Sequence, residues 1–80
     1  MKEIQTNIRG TSSISEYKQA KETLISLANE VYRTHLQEDS WIHGEPAMAQ
    51  FNNLTGNLVV TYEDGKAFEY DSNMKPVREV

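Results

Sequence analysis

Residues 57–71 read Asn57-Leu-Val-Val-Thr-Tyr62-Glu-Asp-Gly65-Lys-Ala-Phe68-Glu-Tyr-Asp71, two runs of β-branched and aromatic residues on either side of Asp64-Gly65. Alternation of this kind about a turn dipeptide is the signature of a β-hairpin. The loop length then decides which side chains share a face. A two-residue loop pairs Glu63 with Lys66 and leaves neither face cleanly apolar. A three-residue loop, Glu63-Asp64-Gly65, puts glycine where a type I turn plus bulge needs a left-handed residue, and it pairs Tyr62 with Lys66. Val60 then meets Phe68 and Leu58 meets Tyr70, while Val59, Thr61, Ala67, Glu69 and Asp71 take the other face. The second register is the expected one because it gathers the aromatic residues on a single side.

Upstream, Ala47-Met-Ala-Gln-Phe51 reads as a further strand with Ala47, Ala49 and Phe51 toward the core. Asn53-Leu-Thr-Gly-Asn57 turns it into the hairpin. Its Asn53-Leu54-Thr55 triplet is a formal glycosylation acceptor that is read as turn chemistry. Before these strands, Ser13-Ile-Ser-Glu16 has the spacing of a capping box. Ile14, Tyr17, Ala20, Leu24, Leu27, Ala28, Val31 and His35 follow at three- and four-residue intervals, so a helix is expected over residues 14–38. Ile25, Tyr32 and Leu36 form an adjoining ridge, which widens the apolar sector enough to suggest a self-association surface. The helix ends in Glu38-Asp39, where negative charge meets the negative end of the helix dipole and no glycine caps it. At the N-terminus Ile4, Thr6 and Ile8 alternate, as in an edge strand.

The fold class implied is α+β: a single helix packed across a small antiparallel sheet, in the order β-α-β-β-β with a C-terminal three-stranded meander. The 80 residues make one domain, with strands expected at 47–53, 57–63 and 66–71 and residues 72–80 read as a candidate flexible tail. The connection Asp39-Ser-Trp-Ile-His-Gly-Glu-Pro46 has the most distinctive local composition, and Trp41 and Ile42 are expected to anchor it.

No cysteine is present, which removes disulfide scaffolds and thiolate metal sites. No apolar leader follows Met1 and no run is long enough to span a bilayer, so a soluble, cytoplasmic protein without a membrane partner is expected. Net charge is −4 and is unevenly spread. Residues 1–33 carry five Lys or Arg against four acids, whereas residues 34–74 carry Glu38, Asp39, Glu45, Glu63, Asp64, Glu69 and Asp71 against Lys66 alone. A phosphate backbone requires cations, so direct nucleic-acid binding is not expected.

Catalytic signatures are thin. His35 and Asp39 lie four apart on the helix, and His43 and Glu45 sit in the loop, which is enough for a minor His/acid enzyme but brings no pocket with it. The His35–His43 separation matches no familiar zinc pattern, and no phosphate-binding or nucleophile motif is present, so no metal and no cofactor are expected. The preferred reading is a non-enzymatic acidic protein that occupies a basic surface of another macromolecule. Trp41, Met48 and Val59 would be its apolar anchors, and Glu63, Asp64, Glu69 and Asp71 its attracting charges. Small inhibitor proteins of phages and mobile elements that act on host nucleic-acid-handling or defence proteins share this size and acidity, an analogy of class. The alternative is an oligomeric binder of a small, nucleotide-like ligand using Trp41, His43 and Glu45. A homo-oligomer formed through Ile25, Tyr32 and Leu36, or through the Met48/Val59 sheet face, fits either reading.

Overall fold

The computed structural model describes residues 3–8, 10, 12–38 and 40–80. In chain order the elements are β1 (Gln5–Asn7), α1 (Ile14–Leu36), β2 (Pro46–Phe51), β3 (Leu58–Tyr62), β4 (Ala67–Tyr70) and β5 (Pro76–Glu79). The strands form one sheet in the order β1-β2-β3-β4-β5, with the helix packed on one face.

The central hairpin adopts the register that the three-residue loop requires. Leu58 lies opposite Tyr70 and Val60 opposite Phe68. Tyr62 N–H donates to Lys66 O at 2.8 Å and Gly65 N–H to Tyr62 O at 3.0 Å, with Gly65 at φ +87°. Leu58, Val60, Tyr62 and Tyr70 are buried beneath the helix together with Ala49, Ile4 and the helical residues Leu24, Ala28 and Val31.

Two features of the sheet depart from the sequence-based expectation. β1 pairs with β2 in parallel, while the other three pairs are antiparallel. The helix carries the chain back to the end of the sheet from which β1 started, so the next strand runs the same way. The second departure is β5, within the segment read as a candidate tail. Asp71 builds the turn that creates it: its carboxylate accepts from Asn73 N–H (2.9 Å) and Lys75 N–H (3.1 Å), and Met74 N–H donates to Asp71 O at 3.0 Å. Met74 takes φ +63°, a left-handed position normally filled by glycine or asparagine, so the turn is hidden from a search for Asp-Gly or Asn-Gly. The meander therefore has four strands rather than three.

At the helix start, Ser13 Oγ accepts from Glu16 N–H (3.2 Å), as a capping box requires. The reciprocal bond is displaced by one residue: the Glu16 carboxylate accepts from the backbone N–H and the hydroxyl of Ser12, both at 2.9 Å, which lowers its pKa. The 23-residue helix is about 34 Å long, whereas strands of four to six residues span roughly 13–20 Å. Its first turns consequently overhang the sheet, leaving Ile14 and Tyr17 exposed, and burial begins at Leu24. Phe51 borders an open groove with Ala20 and Leu24. It lies on the helix side of the sheet, opposite Leu58, yet remains 43% exposed rather than becoming a core residue.

Leu24→Ala should cost about 2–5 kcal/mol by the burial and cavity terms together. Phe51→Ala should cost clearly less, because much of its ring is already in water. Urea unfolding of the two variants, with the midpoint shifting at unchanged slope, checks this ordering.

Candidate functional site

The chain leaves the helix through two tightened bonds, Gln37 N–H to Thr34 O (3.2 Å) and Glu38 N–H to His35 O (2.9 Å), which replace a glycine cap. Trp41 then folds back over the helix end. Its ring stacks on His35 with centroids 4.0 Å apart and planes 16° apart, meets Tyr62 edge-on at 4.7 Å, and its Nε1–H donates to Gly44 O at 2.9 Å. Trp41 thus closes the open end of the helix-sheet sandwich.

Beneath it runs a buried polar chain. His35, 6% exposed, has Nε2 2.7 Å from the Tyr70 hydroxyl, which lies 2.7 Å from the Tyr62 hydroxyl. Each hydroxyl has a proton to donate, and a consistent arrangement is Tyr62 to Tyr70 and Tyr70 to His35 Nε2. The imidazole proton is then on Nδ1, which makes no hydrogen bond and lies 3.5 Å from Glu38 Oε1. Burial pushes the Tyr70 hydroxyl up to about 12 and raises Tyr62 further, so both phenols are neutral donors at physiological pH. The expected partner of His35, Asp39, lies outside the described residues.

His43 takes a different role. Its Nδ1 is 2.5 Å from Asp64 Oδ2, and this bond is the first cause of the lowered Asp64 pKa. A second tie, Glu63 N–H to Glu45 O at 3.0 Å, joins the loop to the β3–β4 turn. Gly44 makes the approach feasible: it sits at φ +80°, and a Cβ there would come within 3.2 Å of the Glu63 side chain. The loop is thereby held against the helix end by Trp41 and against the hairpin by His43 and Glu45. Ile42, at its apex, is not the expected anchor; it is 80% exposed. Glu38, Glu45, Glu63 and Asp64 lie on the segments around it, and Leu36 is exposed in the last helical turn.

The residues grouped in sequence as one acid-rimmed surface therefore divide among three places. Trp41, Glu63 and Asp64 gather at the loop end. Asp71 lies at the other end of β4, engaged in its turn. Met48, Val59 and Glu69 lie on the sheet face away from the helix, where Met48 is half-buried and Val59 is 7% exposed. Glu69 is not an exposed attracting charge. It is 3% exposed and its carboxylate accepts from Asn57 Nδ2 (2.8 Å), Asn52 Nδ2 (3.1 Å), Thr55 Oγ1 (3.3 Å) and Arg78 Nε and Nη2 (3.2 and 3.1 Å). The asparagine bonds, with Arg78 behind them, hold its pKa down at about 2. None of these four was read from the sequence as a partner of Glu69: Thr55 and Asn57 were read as turn residues, Asn52 as part of the strand before them, and Arg78 as part of the candidate tail.

The other assigned residues also find definite positions. Ile25 and Tyr32 are half-buried against the chain's own core, with Tyr32 6.5 Å from the Tyr62 ring, so of the expected oligomer ridge only Leu36 stands exposed. A groove of about 190 Å³ bordered by Asn7, Leu24, Gln50 and Phe51 is lined by no acid or histidine. Among the described residues no three His, Cys, Asp or Glu side chains converge as a metal site, and no helix is long and apolar enough to cross a membrane.

Tyr70→Phe should cost about 1–3 kcal/mol in chemical denaturation, because it leaves Tyr62 and His35 Nε2 buried without partners. A separate expectation concerns acid. The folded-state pKa of Glu69 lies below its ordinary value of 4.5, so its contribution is present above pH 4.5 and is lost as pH falls toward about 2. Asp64 acts in the same direction. Glu69→Gln should flatten the fall in melting temperature between pH 5 and pH 2 relative to the wild type.

Comparison of the chain with protein-family models, with curated proteins and with solved structures gave no match to any of them.

Proposed function

We propose that this chain is a non-enzymatic binding protein whose loop end docks on a basic surface of another protein. Ile42 carries the reading. An isoleucine that is 80% exposed stands at the apex of a loop tied down on both sides, so an apolar anchor is offered with little ordering left to do on binding. Glu38, Glu45, Glu63 and Asp64 are exposed on the helix end, the loop itself and the turn it is tied to, and a surface rich in carboxylates favours a cationic partner while repelling other acidic proteins. Occupying a basic surface is also how a small inhibitor of a nucleic-acid-handling protein would act. The ligand-binding alternative at Trp41, His43 and Glu45 has less support, because His35, Tyr62 and His43 already pack around the indole. A His/acid enzyme has less again, since the two phenols are held neutral and His35 is buried.

The test is affinity capture with three baits, the wild type, Glu45→Lys/Glu63→Lys and Ile42→Asp, each checked for folding by circular dichroism. The expected outcome is a basic protein retained by the wild type and lost by both variants. With that partner purified, the charge reversal should mainly slow association and flatten its salt dependence, whereas Ile42→Asp should mainly speed dissociation. A partner that binds all three baits equally would overturn the proposal.

A further inference from the structure

We propose, on the footing of the loop-end docking above, that the groove between the starts of β1 and β2 and the second half of α1 takes an arginine side chain from the partner's basic surface. Distant pieces of sequence build this groove. The parallel register that sets Gln5 beside Met48 brings Glu3-Ile4 and Glu45-Pro46 to the same end of the sheet, across a strand spacing of about 5 Å. Ile25, Asn29 and Tyr32, four and three residues apart on the helix, form the other wall. The space they enclose is about 420 Å³.

Its floor is apolar: Ile4 is 8% exposed, Pro46 is buried, and Ile25 and Tyr32 are half-buried against the core. Its rim is anionic, with Glu3 and Glu45 and, among the described residues, no Lys, Arg or His in the lining. The Glu45 carboxylate pairs with no cation among the described residues. Lys21 Nζ holds Glu3 Oε1 at 3.2 Å, an exposed pair of the kind that contributes little, and leaves Oε2 for a second donor. The Asn29 carbonyl and the Tyr32 hydroxyl are further acceptors. Charge and shape together select the occupant. An aliphatic stem over an apolar floor with a cation at the rim is the form of a long basic side chain. Arginine fits better than lysine, because its planar guanidinium can serve two carboxylates from separate edges and lie against a tyrosine ring, and it is less strongly hydrated. A neutral or acidic side chain in the same place would cover Glu45 without pairing it.

The probe is Nα-acetyl-arginine methylamide, with its citrulline counterpart as the neutral isostere. Each is titrated at constant ionic strength into the full chain carrying isotope-labelled isoleucine methyl groups, followed by nuclear magnetic resonance. Ile4 and Ile25 should shift saturably with a dissociation constant of about 1–20 mM, while Ile14 and Ile42 keep their positions. Citrulline should leave all four in place. Glu45→Gln should weaken binding at least about threefold, as loss of one ion pair allows. Asn29→Arg, which supplies a guanidinium from the groove's own wall, should abolish it. Glu30→Gln removes an exposed helical acid outside the groove and should change nothing. All three substituted residues are exposed, and circular dichroism checks that each variant is folded. Equal shifts with citrulline overturn the proposal, as does equal weakening by Glu45→Gln and Glu30→Gln, or no response at Ile4 and Ile25 up to about 50 mM probe. These readouts do not use Ile42 or Glu63, so the groove can fail while a captured partner is still lost by Ile42→Asp, and the reverse.

Discussion

Every other placement in this fold depends on the three-residue turn Glu63-Asp64-Gly65. Because side chains alternate strictly along a strand, a turn shorter by one residue would mix the two faces of the hairpin. With Gly65 left-handed and Tyr62 bonded to Lys66, the apolar set Leu58, Val60, Tyr62, Phe68 and Tyr70 lies under the helix, and Val59 and Glu69 lie on the far side. The buried hydroxyl chain and the place of Glu69 among its amide and guanidinium partners are both consequences of that parity. So is the seat of the loop, since His43 and Glu45 find their partners in the turn itself.

Much of this fold was legible because its periodicities are clean. Glycine at the left-handed position and the aromatic alternation select the hairpin register, and Ser13 marks the helix start. What escaped the sequence has specific physical causes. Nothing in the Ile4–Ile8 alternation says whether that strand runs parallel or antiparallel to its neighbour; the crossover through the helix decides it. β5 was hidden by a methionine in a left-handed turn. Ile14 and Tyr17 were assigned to the apolar stripe on spacing, but a helix nearly twice as long as the strands cannot bury its whole stripe, and Phe51, on the core side by parity, borders an open groove.

The candidate site was less legible, because the side chains that satisfy a polar group lie far from it in sequence. Glu69 was read as an exposed charge on the strength of its strand parity alone. Its burial comes from Asn52, Thr55 and Asn57 on one side and Arg78 on the other, so three separate segments meet at one carboxylate. The acids of the second half of the chain consequently differ in kind. Glu69 and Asp71 hold the sheet and its last turn together, whereas Glu45 and Glu63 remain exposed at the loop end.

Trp41 is the chain's one tryptophan, and its ring touches the helix end through His35, the hairpin through Tyr62 and its own loop through Gly44. Indole emission responds to polarity and to stacked neighbours, so the intrinsic fluorescence of this protein is a single-site optical signal reporting the junction of those three segments. Detachment of the loop alone would separate the indole from His35 and expose it to water while the helix and sheet kept their far-ultraviolet dichroism. The two spectroscopies together therefore resolve local opening at the loop end from global unfolding, without any label being added.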